Sequence, residues 1–579
     1  MYFSNSRRNF LRLLGLVASA VWYPDMMAAA GAVSGTSSGK TGTHELSTDI
    51  LIVGGGLGGC AAALAATRRN FHVIMTEQTD WIGGQATQQG LSSLDEHEWI
   101  ESFGRTRSYG EFRNRIRDHY RKRYPLTPQA RARKYLNPGD GLVSKLCFEP
   151  KVALAVLQDM LSLAVRDDRL VLFLNTRPKG ADVDGNYVRA IHLMNEAEGK
   201  EMLVRAKYFI DATELGDLLP LTGTEWVSGS ESKDETEEHH APERARPANM
   251  EAVTWCCALD YLEGEDHTIE KPGQYDFWRS YHPDLTPPWP DNPFFSLTTP
   301  GPDKPMEHSF VPAVGTLAGY KTESSNLWLY RRIIHQANFQ PRTFRSDISL
   351  IAWPQNGYLP GNIFGGTEEE NARHQQGARQ LTLSLIYWLQ TEAPRPDGKA
   401  GWPGLRLCTE LLGTDDGLAK FPYIRESRRI KAEYTICEQH LGGQKPEKIG
   451  RYDVARKFFD SVGVGHYDVN IHPTTGKDNY IDLKTCPYQI PLGALIPVRM
   501  RNLIAGAKNI GTTHISAGAY RLHHTEWNIG EAAGALAAFC LTKGEPPARV
   551  RNHEPLLREF QDQLIRDGFD LDWSKLATV

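Results

Sequence analysis

The stretch from Thr48 to Glu77 constrains this chain more than any other. Asp49-Ile50-Leu51-Ile52-Val53 is an apolar run of strand type, and Gly54-Gly55-Gly56-Leu57-Gly58-Gly59 is a glycine-rich turn. Cys60-Ala61-Ala62-Ala63 then opens a small-residue helix, and Phe71-His72-Val73-Ile74-Met75-Thr76 is a second strand ending on the acid Glu77. That order is the βαβ unit that binds a dinucleotide. Gly54 permits the tight turn out of the strand, Gly56 lets the backbone approach a diphosphate, and Gly59 lets helix and strand pack closely. The diphosphate meets free N–H groups at the positive end of the helix that starts near Leu57. Glu77, eighteen residues beyond Gly59, is placed to accept ribose hydroxyls, and its charge disfavours a 2′-phosphate and hence NADP.

The N-terminus carries a second signal. Ser6-Arg7-Arg8-Asn9-Phe10-Leu11-Arg12 precedes an apolar run from Leu13 to Trp22 and the small residues Ala28-Ala29-Ala30. Paired arginines, a moderate apolar segment and a small-residue cleavage site are the pattern of a twin-arginine signal peptide, over residues 1–30. The apolar run is too short to be a stable membrane span. Such a route exports proteins already folded around a cofactor, so the two signals together predict a periplasmic or otherwise extracytoplasmic redox protein, with the twin-arginine translocon as a partner during export.

The 579 residues, 40% of them apolar, suffice for two or more cores. A net charge of −5 points away from nucleic acid. The eight cysteines show no metal-ligand spacing, and we expect no metal site; His239 and His240 beside Glu237 and Glu238 lie in a polar run that reads as an exposed loop from Ser228 to Pro247. The basic segment from Ser108 to Arg133 reads as a solvated helical face. The aromatic and proline-rich tract from Tyr275 to Phe295 is either a proline-stiffened loop on a core or the wall of a pocket for a planar substrate. A helix is predicted over Glu149 to Val165, followed by β runs at Leu170 to Leu174, Tyr187 to Met194 and Lys207 to Ile210. Near the C-terminus a short strand leads into a polar loop and a small-residue helix from Gly530.

Gly54-Gly55-Gly56-Leu57-Gly58-Gly59, Glu77, Gly83-Gly84-Gln85, Phe209-Ile210-Asp211-Ala212-Thr213, Trp353-Pro354-Gln355-Asn356, Arg425-Glu426-Ser427-Arg428-Arg429 and the run from Ala505-Gly506 to Gly534 occur in an order that resembles the bacterial FAD-dependent oxidoreductases. These are two-dinucleotide-binding-domain flavoproteins, distantly fumarate-reductase-like. The resemblance implies an α/β fold: a Rossmann-like FAD-binding domain with a central parallel sheet, helices and a β-meander crossover, plus an inserted mixed α+β substrate domain. Its parts would be residues 48–107, 148–223 and 487–542, with a linker at 31–47, a helical insertion at 108–147, a substrate or cap domain at 224–486 and a helical tail at 543–579. It implies FAD neighbours at Gly54, Gly56, Gly59, Glu77, Gly84, Gln85, Ala212, Gly506, Asn509 and Gly530. The chain departs from the pattern in having Glu214 where relatives continue Ala-Thr-Gly, and Asn509 where they often carry an acid.

A flavoenzyme that moves a hydride needs its substrate beside the ring and a group to handle a proton. His523 and His524 precede the flavin-end helix, His514 and Arg521 lie just before them, and Arg425 or Arg428 can hold an anionic small-molecule substrate. His523, His524, His514, Arg521 and Arg425 are the catalytic candidates. No second glycine fingerprint predicts a separate NAD(P)H domain, so electrons would pass to a quinone, a carrier or dioxygen. The alternatives are a flavin-containing electron-transfer or binding subunit of an envelope complex, and a flavin-dependent non-redox lyase or isomerase acting on a carbohydrate.

Overall fold

A computed structural model describes residues 44–289, 292, 294–299, 306–312, 326–442 and 454–578. The signal segment 1–30 lies outside the described residues, as do parts of the proline-rich tract.

The glycine-rich unit folds as strand β1 (His44–Val53), helix α1 (Leu57–Thr67) and strand β2 (Val73–Thr76). Every residue of α1 is buried, which accounts for its run of alanines: a helix wrapped on all sides needs small, polar-free side chains. Beyond a basic helix α2 (Arg107–Arg123) and an amphipathic α3 (Pro150–Arg166), the chain enters strands β3 (Leu170–Phe173), β4 (Thr176–Asp184), β5 (Tyr187–Asn195) and β6 (Lys200–Asp211). The sheet runs β3-β2-β1-β6-β5-β4. β4, β5 and the first half of β6 form an antiparallel meander, whereas β6 runs parallel to β1 from Met202, opposite His44, to Asp211, opposite Val53.

An inserted region carries a four-stranded antiparallel sheet, made of β7 (Cys257–Tyr261), β8 (Arg332–Ile334), β9 (Ile348–Ile351) and β10 (Leu405–Leu407) in the order β8-β9-β7-β10, with the 24-residue helix α4 (Glu368–Thr391). It has its own core, in which Tyr275, Trp278, Phe294 and Phe295 pack with Trp328, Trp353, Trp388 and Trp402. These four residues of the aromatic tract are thus interior, whereas Phe277 is exposed. The chain then returns to the first sheet as β11 (Leu503–Ala505), parallel to the second half of β6, and continues through α5 (His514–Tyr520), α6 (His523–Lys543) and α7 (Glu554–Asp567). No helix among the described residues is long and apolar enough to cross a membrane.

Two sequence expectations are corrected. The basic helix α2 is not simply a solvated face. Arg113 and Arg117 are buried and ion-paired, Arg113 with Glu96 and Glu101 and Arg117 with Glu101, while Arg115 and Arg121 are half-buried and pair with Asp159 and Asp118. Buried guanidinium groups need such partners, and these come from residues upstream of the helix. Nor is the segment from Ser228 to Pro247 an exposed loop throughout: Ser230, Glu238 and Ala241 are buried, with Glu238 Oε1 accepting from the Thr513 hydroxyl at 2.5 Å and His240 Nδ1 lying 2.7 Å from Glu438.

Candidate cofactor and substrate site

Strands β3, β2, β1, β6 and β11 run parallel, so Glu77, Gly54, Ala212 and Gly506 lie together at one edge, each just past the carboxyl end of its strand. Crevices at such edges are where open α/β sheets hold nucleotides. Gly54 (φ +103°) turns the chain beneath the backbone of Ala212, where a Cβ would enter the Ala212 carbonyl. A Cβ on Gly59 would enter the Gly54 carbonyl, so its hydrogen atom is what allows α1 to start there. Gly506 packs on Ile210 and, through its carbonyl, on Gly58.

The Glu77 carboxylate accepts Gly55 N–H at 3.0 Å on one oxygen and Thr79 N–H at 2.9 Å on the other. Burial pushes its pKa up to about 7. Gln85 donates through Nε2 to the Arg521 carbonyl at 2.9 Å and to Glu526, while its Oε1 has no partner. Lys508, buried, is paired with Glu214 and lies 3.4 Å from Glu526 Oε2. Burial works against this ammonium, yet the two carboxylates hold its pKa above the ordinary lysine value. Glu526 Oε1 accepts Gly58 N–H at 3.2 Å. The other Glu214 oxygen has no hydrogen-bond partner and faces the Cα carbons of Gly56 and Gly84.

These residues fit a dinucleotide. Gly56 and Gly84 present no side chain, the first turn of α1 offers the Gly58 N–H, Lys508 supplies a cation, and the unpartnered acceptor Gln85 Oε1 suits a hydroxyl-rich ribose or ribityl chain. Two residues named from sequence are engaged within the chain. Gly530 packs against the Gly58 backbone, where it brings α6 onto α1. Asn509 is consumed within the chain, its Oδ1 accepting Ala507 N–H at 3.2 Å and its Nδ2 donating to the Asp211 carbonyl at 3.0 Å. Lys508 and Glu526 were missed; the only signals were their places, beside Asn509 and in the first turn of the small-residue helix.

Gln85 connects the crevice to a second buried cluster. Arg521 donates to the Tyr423 hydroxyl and to the Asn470 carbonyl, both at 2.8 Å, and its Nε lies 3.3 Å from Glu251 Oε1. Glu251 Oε2 accepts His472 N–H at 2.9 Å. Arg425 is buried and 4.9 Å above the Tyr423 ring, and its Nη1 donates to the Ala252 carbonyl at 2.6 Å and to Thr254 Oγ1 at 2.8 Å. Among the described residues no carboxylate pairs with Arg425, and its Nε has no partner. His472 Nδ1 is also unpartnered; burial, with Arg425 and Arg521 nearby, holds this imidazole well below its ordinary pKa. Asp95 and Arg331 pair at 3.2 Å close by.

Of the five catalytic candidates, the fold brings Arg521 and Arg425 together. His523 spends both nitrogens on backbone, Nδ1 accepting Asp95 N–H at 3.1 Å and Nε2 donating to the Leu91 carbonyl at 3.0 Å, and burial pushes its pKa down to about 4. His524 points away into a ring cluster with His97, whose centroid is 5.0 Å off. His514 lies 3.0 Å from both oxygens of Glu426; burial alone would lower its pKa, and the carboxylate overrides this and raises it. Glu251 and His472 were not legible as candidates, because each is isolated in sequence and meets Arg521 only through the fold. A cavity of about 300 Å³ is lined by His514, Ile471, Tyr480, Glu238, Asp478 and Arg246, and Ile471 follows Asn470, whose carbonyl accepts from Arg521.

The family model described as FAD dependent oxidoreductase matches residues 49–564. No curated protein matches the chain. Among solved structures, similarity is found to L-proline dehydrogenase from P. horikoshii, with 14% identity over 33% of this chain and 25% of that one and a TM-score of 0.17. Similarity is also found to glycerol-3-phosphate dehydrogenase from Bacillus halodurans complexed with FAD, with 13% identity, 37% and 40% coverage and a TM-score of 0.21. The open conformation of a flavocytochrome c3 fumarate reductase matches with 15% identity, 28% and 33% coverage and a TM-score of 0.19. The chain therefore spans less than half the length of each of these structures.

Proposed function

The chain belongs to the FAD dependent oxidoreductase family and its cofactor is FAD, and from that premise we propose that it is an exported enzyme exchanging a hydride between the flavin and a small organic anion. The observation that carries this reading is Arg425: a buried guanidinium with neutral hydrogen-bond partners and, among the described residues, no paired carboxylate and an unpartnered Nε, in a cluster where His472 Nδ1 also lacks a hydrogen-bond partner. A buried unpaired charge is expensive, and an anionic substrate supplies the missing partner.

When bound, FAD supplies the hydride acceptor or donor. Arg425 holds the carboxylate of the substrate, and its stacking on Tyr423 fixes the plane of the fork. Glu251 keeps Arg521 in place. Neutral His472, with a free Nδ1, takes the proton that leaves a hydroxyl or amine as its carbon is oxidised, or returns it in reduction. The cavity beside Tyr480 is the way in, since Tyr480 contacts Asn470, whose carbonyl holds Arg521.

The test is anaerobic mixing of the oxidised enzyme with hydroxy acids, amino acids and uncharged polyols while the flavin spectrum is followed. Bleaching by carboxylates alone supports the reading. R425M should then raise KM by roughly 10- to 100-fold, as expected for losing a charged hydrogen bond worth ~1.5–3 kcal/mol, with a smaller change in kcat. Equal bleaching by uncharged polyols, or an unchanged KM in R425M, refutes it. Export is tested by R7K/R8K, which should retain the protein in the cytoplasm.

A further inference from the structure

Two carboxylates stand where the diphosphate of FAD has to lie. The first turn of α1 is the anion site of the βαβ unit, and its Gly58 N–H is given to Glu526 Oε1 at 3.2 Å. Gly56 lacks a side chain so that a phosphate can reach the backbone. A Cβ there would lie 2.8 Å from Glu214 Oε1 and 3.3 Å from Glu526 Oε1, and one on Gly84 would lie 2.7 Å from the same Glu214 oxygen. Glu214 Oε1 thus covers two bare Cα carbons, on a side chain 6% exposed, with no hydrogen-bond partner. An ionised oxygen gains nothing from that contact, so the position is shaped for a ligand.

The charge balance is equally specific. Among the described residues Lys508 is the one cation paired with Glu214 or Glu526. The other titratable groups facing the cluster are Glu77 and Cys60 from the βαβ unit, Asp217, which is paired with Arg428, Tyr423, and His523 on α6. None of these adds a positive charge, because His523 is held neutral. A diphosphate dianion and two carboxylates cannot share one lysine and one helix terminus while all stay ionised.

We infer that Glu214 and Glu526 are exchange ligands: FAD enters by displacing them from Gly58 N–H and from Lys508, which becomes the cation of the diphosphate, and the displaced carboxylate pair takes up one proton from solvent. Glu214 is therefore a functional replacement for the glycine of relatives. It fills and pre-forms the diphosphate position, and it makes cofactor affinity depend on pH.

The experiment uses full-length protein produced under riboflavin starvation. FAD binding is followed by fluorescence quenching from about pH 6 to 9, and the protons taken up are counted by calorimetry in phosphate and in Tris, whose ionisation enthalpies differ. Up to one proton should be taken up per FAD, with Kd rising up to about tenfold per pH unit where uptake is complete. E214Q, which keeps the shape, should bind FAD at least ~10-fold more tightly than wild type at the alkaline end and lose most of the proton uptake, while K508M should bind at least ~10-fold more weakly throughout. No proton uptake by the wild-type protein overturns the exchange without recourse to any variant. Proton uptake that E214Q leaves intact removes Glu214 from it, and an unchanged Kd in K508M removes the lysine.

Discussion

Substituting alanine at Gly56 should separate cofactor binding from folding. Gly56 is the N-cap of α1 with φ −62° and ψ −172°, a conformation that alanine adopts without strain. Its new methyl would meet only the ends of two side chains, Glu214 Oε1 at 2.8 Å and Glu526 Oε1 at 3.3 Å, both free to swing by a few tenths of an ångström. Alanine is a poorer N-cap than glycine by about 0.5–1 kcal/mol. It also restricts the unfolded chain, which returns about 0.4–1 kcal/mol. The apoprotein should therefore unfold at the same denaturant midpoint as wild type, within about 1 kcal/mol of stability. The diphosphate cannot swing aside in the same way. The methyl displaces it from the first-turn N–H groups, losing at least one charge-assisted hydrogen bond worth ~1.5–3 kcal/mol, to which crowding adds ~1–3 kcal/mol. Taking about 3 kcal/mol, FAD affinity should fall by about 100-fold. G59A is the contrast, because its Cβ runs into the Gly54 carbonyl, which is backbone and cannot yield. That variant should lose stability and affinity together. Fluorescence titration with FAD and urea unfolding of both apoproteins measure the two quantities. If G56A binds FAD like wild type, or unfolds as early as G59A, the placement of the diphosphate over Gly56 is wrong.

Three further outcomes are expected. Glu77, Asp211 and Glu238 are each pushed up to about 7 by burial, so the folded chain holds protons that the unfolded chain has released; their contribution is complete below the ordinary carboxylate pKa and lost as pH rises through about 7, and Tm of the apoprotein should fall between about pH 5 and 8. A rising Tm over that range contradicts it. E426Q leaves His514 and Arg429 facing a neutral amide in a buried setting and should cost about 3–5 kcal/mol, read as an earlier denaturant midpoint; an unshifted midpoint would show that the pair contributes nothing. Because both nitrogens of His523 are bonded to backbone and its pKa lies near 4, its ring resonances should not titrate between about pH 5.5 and 9, and a titration there would restore it as a proton carrier.

Much of the cofactor half was legible because it is local. The glycines at 54, 56 and 59 act through their own φ or their own missing Cβ, and Glu77 through its place at the end of the next strand. The substrate half was harder to read. Arg425 was named as a hold for an anion, yet Arg428 and Arg429 lie in the same run, and only the fold shows that Arg429 is paired with Glu426 and Glu231 and Arg428 with Asp217 while Arg425 has no such partner among the described residues. The histidines that open α6 were near the crevice by position, but their ring nitrogens turn to backbone or to other rings. Burial of Arg113 and Arg117 was hidden for the same reason: Glu96 and Glu101, which permit it, lie outside the helix and off its period.

The amino-acid sequence by itself determined the βαβ unit, the α/β class, the dinucleotide and the family, since these follow from residue type at short spacing, where sterics and periodicity act alone. The tertiary structure decided which charges are satisfied. Glu214, Lys508 and Glu526 are separated by hundreds of residues in one direction and by one helical segment in the other, and Glu251, Arg425, His472 and Arg521 are equally scattered. Whether a buried charge has a partner depends on distances of 3–4 Å between segments that only the closed fold brings together, and that is the property from which both the substrate class and the proton-linked exchange are argued.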